Sequence, residues 1–218
     1  PKVIIGDGPQ LVSPSVTGGR VDNQGNLIHN RLLLEINNGE FENLVPYLEY
    51  IEMSTHNDLH TPTSGFVYGY FPDEGLISLV ISVKDGRSVE VGIVGREGFV
   101  GTPLAVGCYR SPYGAIVQAP GFAYRIKAEV LEVTLADSPD LRQKLTRFAL
   151  LQGMQVAQLA ACNRLHEIDQ RLARWMLMCS DRLESDLLPM THEFFAEMLG
   201  TGRPTVSVAA AVLQRAGF

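Results

Sequence analysis

Between about residues 49 and 127 the apolar positions follow a period of two, and from about 128 onward they follow a helical period. A single switch of this kind divides the chain into a strand-rich part followed by a helical part. The clearest strands lie in LISLVISVKDGRSVEVGIV, where two β-branched runs flank Lys84-Asp85-Gly86-Arg87. Asp-Gly supplies the positive-φ positions that a tight hairpin turn requires. FVYGYF ends in the turn cluster Pro72-Asp73-Glu74-Gly75, and GAIVQAPGFAYRI folds back at Pro120-Gly121. Many short strands with regular Gly/Pro punctuation predict a small antiparallel barrel or roll.

Ahead of the strands, residues 30–48 read as two short helices joined at Asn37-Asn38-Gly39, with apolar faces at Leu32, Leu33 and Ile36, then Phe41, Leu44, Val45 and Leu48. Residues 1–28 are rich in Gly, Pro, Ser and Asn and read as an N-terminal arm or leader.

The longest helical pattern starts near Ser138-Pro139, with serine as the expected cap and proline at the first position. Leu141, Leu145, Phe148, Gln152, Gln155, Leu159 and Cys162 alternate at four and three residues, the seam expected of a helix paired with a second copy. The competing reading is a helix packed on its own barrel. A short break at Asn163–His166 leads into EIDQRLARWMLMCSDRL, where Ile168, Leu172, Trp175, Cys179 and Leu183 line one face. Trp175 reads there as a packing anchor.

MLGTGRPTVSV then supplies a stop and a restart. Thr191 caps a helix that buries Phe195, Met198 and Leu199, with Ala196 small enough for a close helix crossing. Gly200 permits the left-handed turn, and Pro204 fits an early position of the next helix. That helix buries Val206, Ala209, Ala210 and Leu213. Helix, glycine turn, helix is the helix-turn-helix pattern. Its outward edge is Arg203, Thr205, Ser207 and Val208, with Thr201 in the turn. Arginine pairs with guanine, hydroxyls reach phosphates or base edges, and valine meets a thymine methyl.

Charge restricts how DNA could be held. The net charge is −6, with −5 over residues 1–163 and −1 over 164–218, so DNA contact has to be local and assisted by dimerisation rather than a broad basic footprint. No apolar run reaches membrane-span length and no signal-peptide pattern opens the chain, which predicts a cytoplasmic protein with no membrane partner. Cys108, Cys162 and Cys179 are far apart and read as reduced thiols. His56 and His60 fall in strand and turn, so no metal site is expected. Gly92, Gly95, Gly98 and Gly101 recur at every third position but form neither a dinucleotide fingerprint nor a P-loop, and read as barrel turns. No nucleophile–base pair stands out, so no enzymatic activity is expected.

From about residue 30 to 218 the chain resembles the Crp/Fnr family of bacterial transcription regulators. The resemblance is strongest in FVYGYFPDEGLISLVISVKDGRSVEVGIVGREGFVG, ACNRLHEIDQRLARWMLM and LPMTHEFFAEMLGTGRPTVSVAAAVLQRAGF. It implies an α+β fold: an antiparallel β-roll (double-stranded β-helix, cyclic-nucleotide-binding-domain-like) at 29–136, a dimerisation helix at 137–166 and a winged helix-turn-helix at 167–218. The wing falls beyond the last residue, so a truncated domain is expected. Double-stranded DNA, a homodimer and RNA polymerase are the implied partners.

By position, Arg203 falls on the family's principal base-reading arginine. Pro204 stands in place of an acidic residue and Val208 in place of a second arginine, which implies DNA binding with an altered target. The cyclic-nucleotide pocket departs further. Thr102-Pro103 follow Gly101 where the ribose-binding glutamate belongs, and Tyr113-Gly114 stand where the phosphate-binding arginine belongs, with Arg110-Ser111 a few residues early. A buried phosphate without a positioned guanidinium is costly. The expectation is therefore no cofactor and no cAMP bound in the family's usual way. An unidentified small-molecule effector would meet pocket candidates Arg96, Thr102, Arg110, Ser111, Tyr113 and Gln118. The alternative function is a ligand-binding sensor whose helix pair contacts protein and binds no DNA.

Overall fold

Turn-forming glycines and prolines cut residues 49–127 into short strands, and helices bracket them. The computed structural model describes residues 19–62, 64–84, 88–188 and 190–217. The expected hairpin turn at Asp85–Arg87 and most of the expected N-terminal arm lie outside the described residues. Helices α1 (Arg31–Glu35) and α2 (Asn38–Leu44) come first. Strands β1 (Glu49–Met53), β2 (Asp58–His60), β3 (Tyr68–Pro72), β4 (Leu76–Ser82), β5 (Ser88–Val94), β6 (Gly114–Ala119) and β7 (Gly121–Lys127) follow. They form two antiparallel sheets, β1-β7-β3 and β2-β6-β4-β5. Met53, Tyr70, Ile77, Leu79, Val94, Val117 and Ala123 fill the space between them.

The outer face of each sheet is also covered. Tyr124 and Ile126 of β7, with Phe71 of β3, turn away from the roll interior and pack against α1, α2 and α3 (Ala128–Ala136). On the other sheet, the even-numbered Leu76 and Val80 of β4 meet the C-terminal helices, while the odd-numbered Ile77 and Leu79 face inward. Two-sided burial explains why LISLV reads as a continuous apolar run, its five residues all buried.

Residues 19–28 are docked rather than extended. Val21 bridges Leu27, and the Arg20 guanidinium donates to the Ile36 carbonyl at 2.6 Å while lying over the Phe41 ring.

Helix α4 runs over Pro139–Leu165, and its start departs from expectation. The Ser138 side chain makes no capping bond. Instead the Glu40 carboxylate of α2 accepts from the Asp140 and Leu141 amides at 3.1 and 2.8 Å. A carboxylate at a helix N-terminus satisfies free amides and complements the dipole. The expected pairing seam also turns inward. Leu141 and Leu145 are fully buried in the roll's own core, Phe148 packs against it and Cys162 is buried. Gln152 Oε1 accepts from Thr102 Oγ1 at 3.1 Å. Gly98 makes this approach possible, because a Cβ there would lie 2.2 Å from the Phe148 ring. The first three seam positions, Leu141, Leu145 and Phe148, thus meet the chain's own roll, and Leu159 is half-buried. No described helix is long and apolar enough to cross a membrane.

Candidate nucleic-acid interface

Helices α5 (Ile168–Leu183), α6 (His192–Met198) and α7 (Arg203–Arg215) build the C-terminal unit. Thr191 Oγ1 accepts from the Phe194 amide at 3.2 Å and caps α6. Gly200 takes φ +62, where a side chain would be strained, and its amide bonds the Glu197 carbonyl. The Gly202 carbonyl then accepts from the Thr205 and Val206 amides and starts α7, with Pro204 in its first turn. Arg171 of α5 donates to the Leu199 carbonyl at 2.6 Å, satisfying an orphan acceptor at the end of α6. Phe195, Ala196, Met198, Leu199, Val206 and Ala209 close the core with Leu172 and Trp175. Trp175 meets the Phe195 ring edge-on at 5.1 Å.

That packing decides which edge of α7 is free. Arg203, Thr205 and Val208 are exposed, the Arg203 side chain at 67%. Ser207 is half-buried and lies 3.1 Å from His192 Nδ1. Thr201 is half-buried in the turn before α7. Arg203 also stands 4.0 Å from Glu193 on α6, an exposed pair too weak to hold it. Glu193 and His192 border the reading edge without having been singled out from sequence. Their position opposite α7 depends on the crossing of two helices, which no spacing within one segment reveals.

The unit is fixed to the roll through a buried polar chain. Glu90 of β5 is fully buried, and its Oε1 accepts from Trp175 Nε1 at 2.9 Å. Ser78 Oγ lies 2.8 Å from Glu90 Oε2 and 2.6 Å from Gln118 Oε1. A serine hydroxyl has one proton, so it serves only one of these acceptors; a protonated Glu90 donating to Ser78 satisfies both contacts. Burial independently pushes the Glu90 carboxyl up to about 8, against the opposing pull of Ser78, Trp175, Arg182 and Arg174. Gln118 Nε2 completes the chain by donating to Cys179 Sγ and Met190 Sδ. Burial raises the Cys179 thiol well above its ordinary range, which keeps it protonated and unreactive. Outside this chain, Arg182 of α5 pairs with Glu97 at 2.7 Å, and Arg96 pairs with Glu184.

The structure brings three of the six effector-pocket candidates together and places three apart from them. Gln118 belongs to the junction with α5, because its position on β6 turns it toward the outer face of the sheet. Arg96 sits in the turn after β5 and is held by Glu184. Arg110 is exposed on the loop before β6. The remaining three do converge. Thr102 starts a 3-10 turn (Thr102–Val106) behind Gly101, whose φ is +113. Its Oγ1 lies 3.4 Å from Tyr113 Oη, and Ser111 Oγ accepts from the Tyr113 amide at 3.2 Å. With Gln152 they form a neutral polar cluster between roll and α4. His56 and His60 point into separate surroundings, His60 buried and stacked on Phe66, His56 in a turn at φ +68.

The fold is a β-roll joined by a long helix to a helix-turn-helix. Residues 170–218 match the Crp-like helix-turn-helix domain family. Among solved structures, the fold is similar to the c-di-GMP-responsive global regulator CLP of Xanthomonas campestris, at 17% identity over 83% of this chain and 93% of that one, TM-score 0.68. It is similar to FixK2 of Bradyrhizobium japonicum, at 17% identity over 78% and 86%, TM-score 0.68. A CRP-family transcriptional regulator of Thermus thermophilus matches at 22% identity over 77% and 85%, TM-score 0.62. No curated protein sequence matches the chain. The family match thus covers the C-terminal helices, and the solved structures share the fold of the chain as a whole.

Proposed function

We propose that the chain acts as a homodimer whose two α7 helices read half-sites about one helical turn apart in the major groove of DNA. The observation that carries this reading is the division of α7: Val206 and Ala209 are buried while Arg203, Thr205 and Val208 stand free at its N-terminal end. That end also turns the positive pole of the helix dipole toward a phosphate backbone. Pairing uses the side of α4 opposite its buried seam. Leu150 and Met154 are 67% and 62% exposed, and Ala157 and Ala161 continue the same four-three spacing on the exposed side. The roll does not take cAMP in the family's usual way: the neutral Thr102–Tyr113–Gln152 cluster offers no guanidinium, and Arg110 faces solvent.

Selection of bound duplexes from a random pool tests the reading. Enrichment of a two-fold symmetric sequence with half-sites about one turn apart is expected. Recovery of unenriched DNA, or binding indifferent to salt, overturns it.

A further inference from the structure

A second concave site lies away from both the α7 edge and the Thr102 cluster. It is a groove of about 370 Å³ where α1, the middle of α4 and the C-terminal end of α5 meet the turn after β5. Its floor is apolar, made by Leu32, Ile93, Phe148 and Leu151. Arg31, Lys144, Arg147 and Arg182 border it, against only Glu35 and Glu97. This excess of cations is notable in a chain of net charge −6.

The four cations are not equally engaged. Arg182 is held by Glu97 at 2.7 Å and by the Met178 carbonyl. Lys144 stands 3.9 Å from Glu35 and 3.7 Å from Asp140, long for charge-assisted bonds. Arg147 has no carboxylate partner among the described residues. Two cations with spare donors beside an apolar floor match the composition of a small-molecule pocket, in which a few polar groups orient an apolar body.

We propose that this groove binds a small organic anion, its apolar body on Phe148 and Leu151 and its carboxylate or phosphate against Arg147 and Lys144. The walls come from the roll, from α4 and from the DNA-reading unit. A ligand touching all three therefore favours the arrangement in which α5 lies against the turn after β5, and weakens when that contact opens.

Calorimetric titration of the full chain, without DNA, tests this separately from the DNA-reading assignment. The probes are phenylbutyrate for a carboxylate, phenyl phosphate for a phosphate, and phenylbutanol as the neutral counterpart. At least one anion should bind saturably, one per chain, at roughly millimolar affinity or better. The alcohol should bind about tenfold more weakly. Arg147→Glu should weaken the anion about tenfold, and Glu35→Lys should strengthen it severalfold, because the two changes move the local charge in opposite directions. Arg147 is exposed and the Glu35 side chain is 64% exposed, so both variants keep the fold, which circular dichroism verifies. Failure of both anions to bind, equal binding by the alcohol, or affinities that ignore both variants overturns the proposal.

Discussion

The two outer faces of the roll are both covered by helices, yet by different chemistry. Over β1-β7-β3, Phe71, Tyr124 and Ile126 meet α1, α2 and α3, and the buried polar residues there, Asn30, Asp73 and Glu40, bond backbone amides and carbonyls. Over β2-β6-β4-β5, the helix-turn-helix unit is held by apolar side chains and by the Glu90–Ser78–Gln118 chain running through them. A carboxyl held by backbone amides at a helix end keeps its charge satisfied, whereas one buried among neutral side chains is costly to ionise. The difference puts a titratable group in the contact between the roll and helices α5 to α7.

Breaking the face over β1-β7-β3 should have the largest effect. Phe71→Ala removes a fully buried ring and should cost about 3–5 kcal/mol in urea denaturation. The face over β2-β6-β4-β5 should instead show a pH signature. In the folded chain Glu90 keeps its proton to about pH 8, whereas the unfolded chain releases it near the ordinary glutamate value. The folded state therefore binds more protons in that window, and stability falls as pH rises through it. Between about pH 5 and 7.5 this group should remove roughly 3 kcal/mol. Glu90→Gln can still donate to Ser78 and accept from Trp175, so the difference between wild-type and variant stability should grow across that window. Parallel pH profiles for the two would place the proton elsewhere.

Arg203→Ala should lower affinity for a selected half-site by about 1–3 kcal/mol while leaving denaturation unchanged within roughly 0.5 kcal/mol. An equal loss on scrambled duplex would reduce Arg203 to a phosphate contact. The smallest effect expected is that of Glu40→Ala, which uncaps α4 and should cost about 1 kcal/mol, read as a lowered urea midpoint.

The sequence made the two-part architecture legible because turn chemistry and helix caps are local. The β4–β5 hairpin strands, Thr191 as a cap and Gly200 as a left-handed stop all stand where residue types alone placed them. What stayed hidden depends on partners distant in the chain. Leu141 and Leu145 show a pairing period, but a period does not say whether a second copy or the chain's own roll meets it. Ser138 has the right chemistry for a cap, yet Glu40, a hundred residues upstream, reaches the amides first. Gln118 reads from the sequence as an effector-pocket candidate. Its partners lie on α5 and beyond, and only the fold brings them near.

The chain's only tryptophan donates its indole proton to the carboxyl at the joint. Indole emission shifts with the polarity and charge around the ring, so Trp175 is a native fluorophore at the boundary between roll and helix-turn-helix. Without any added dye, its emission spectrum reports whether the indole keeps its buried contact with Glu90.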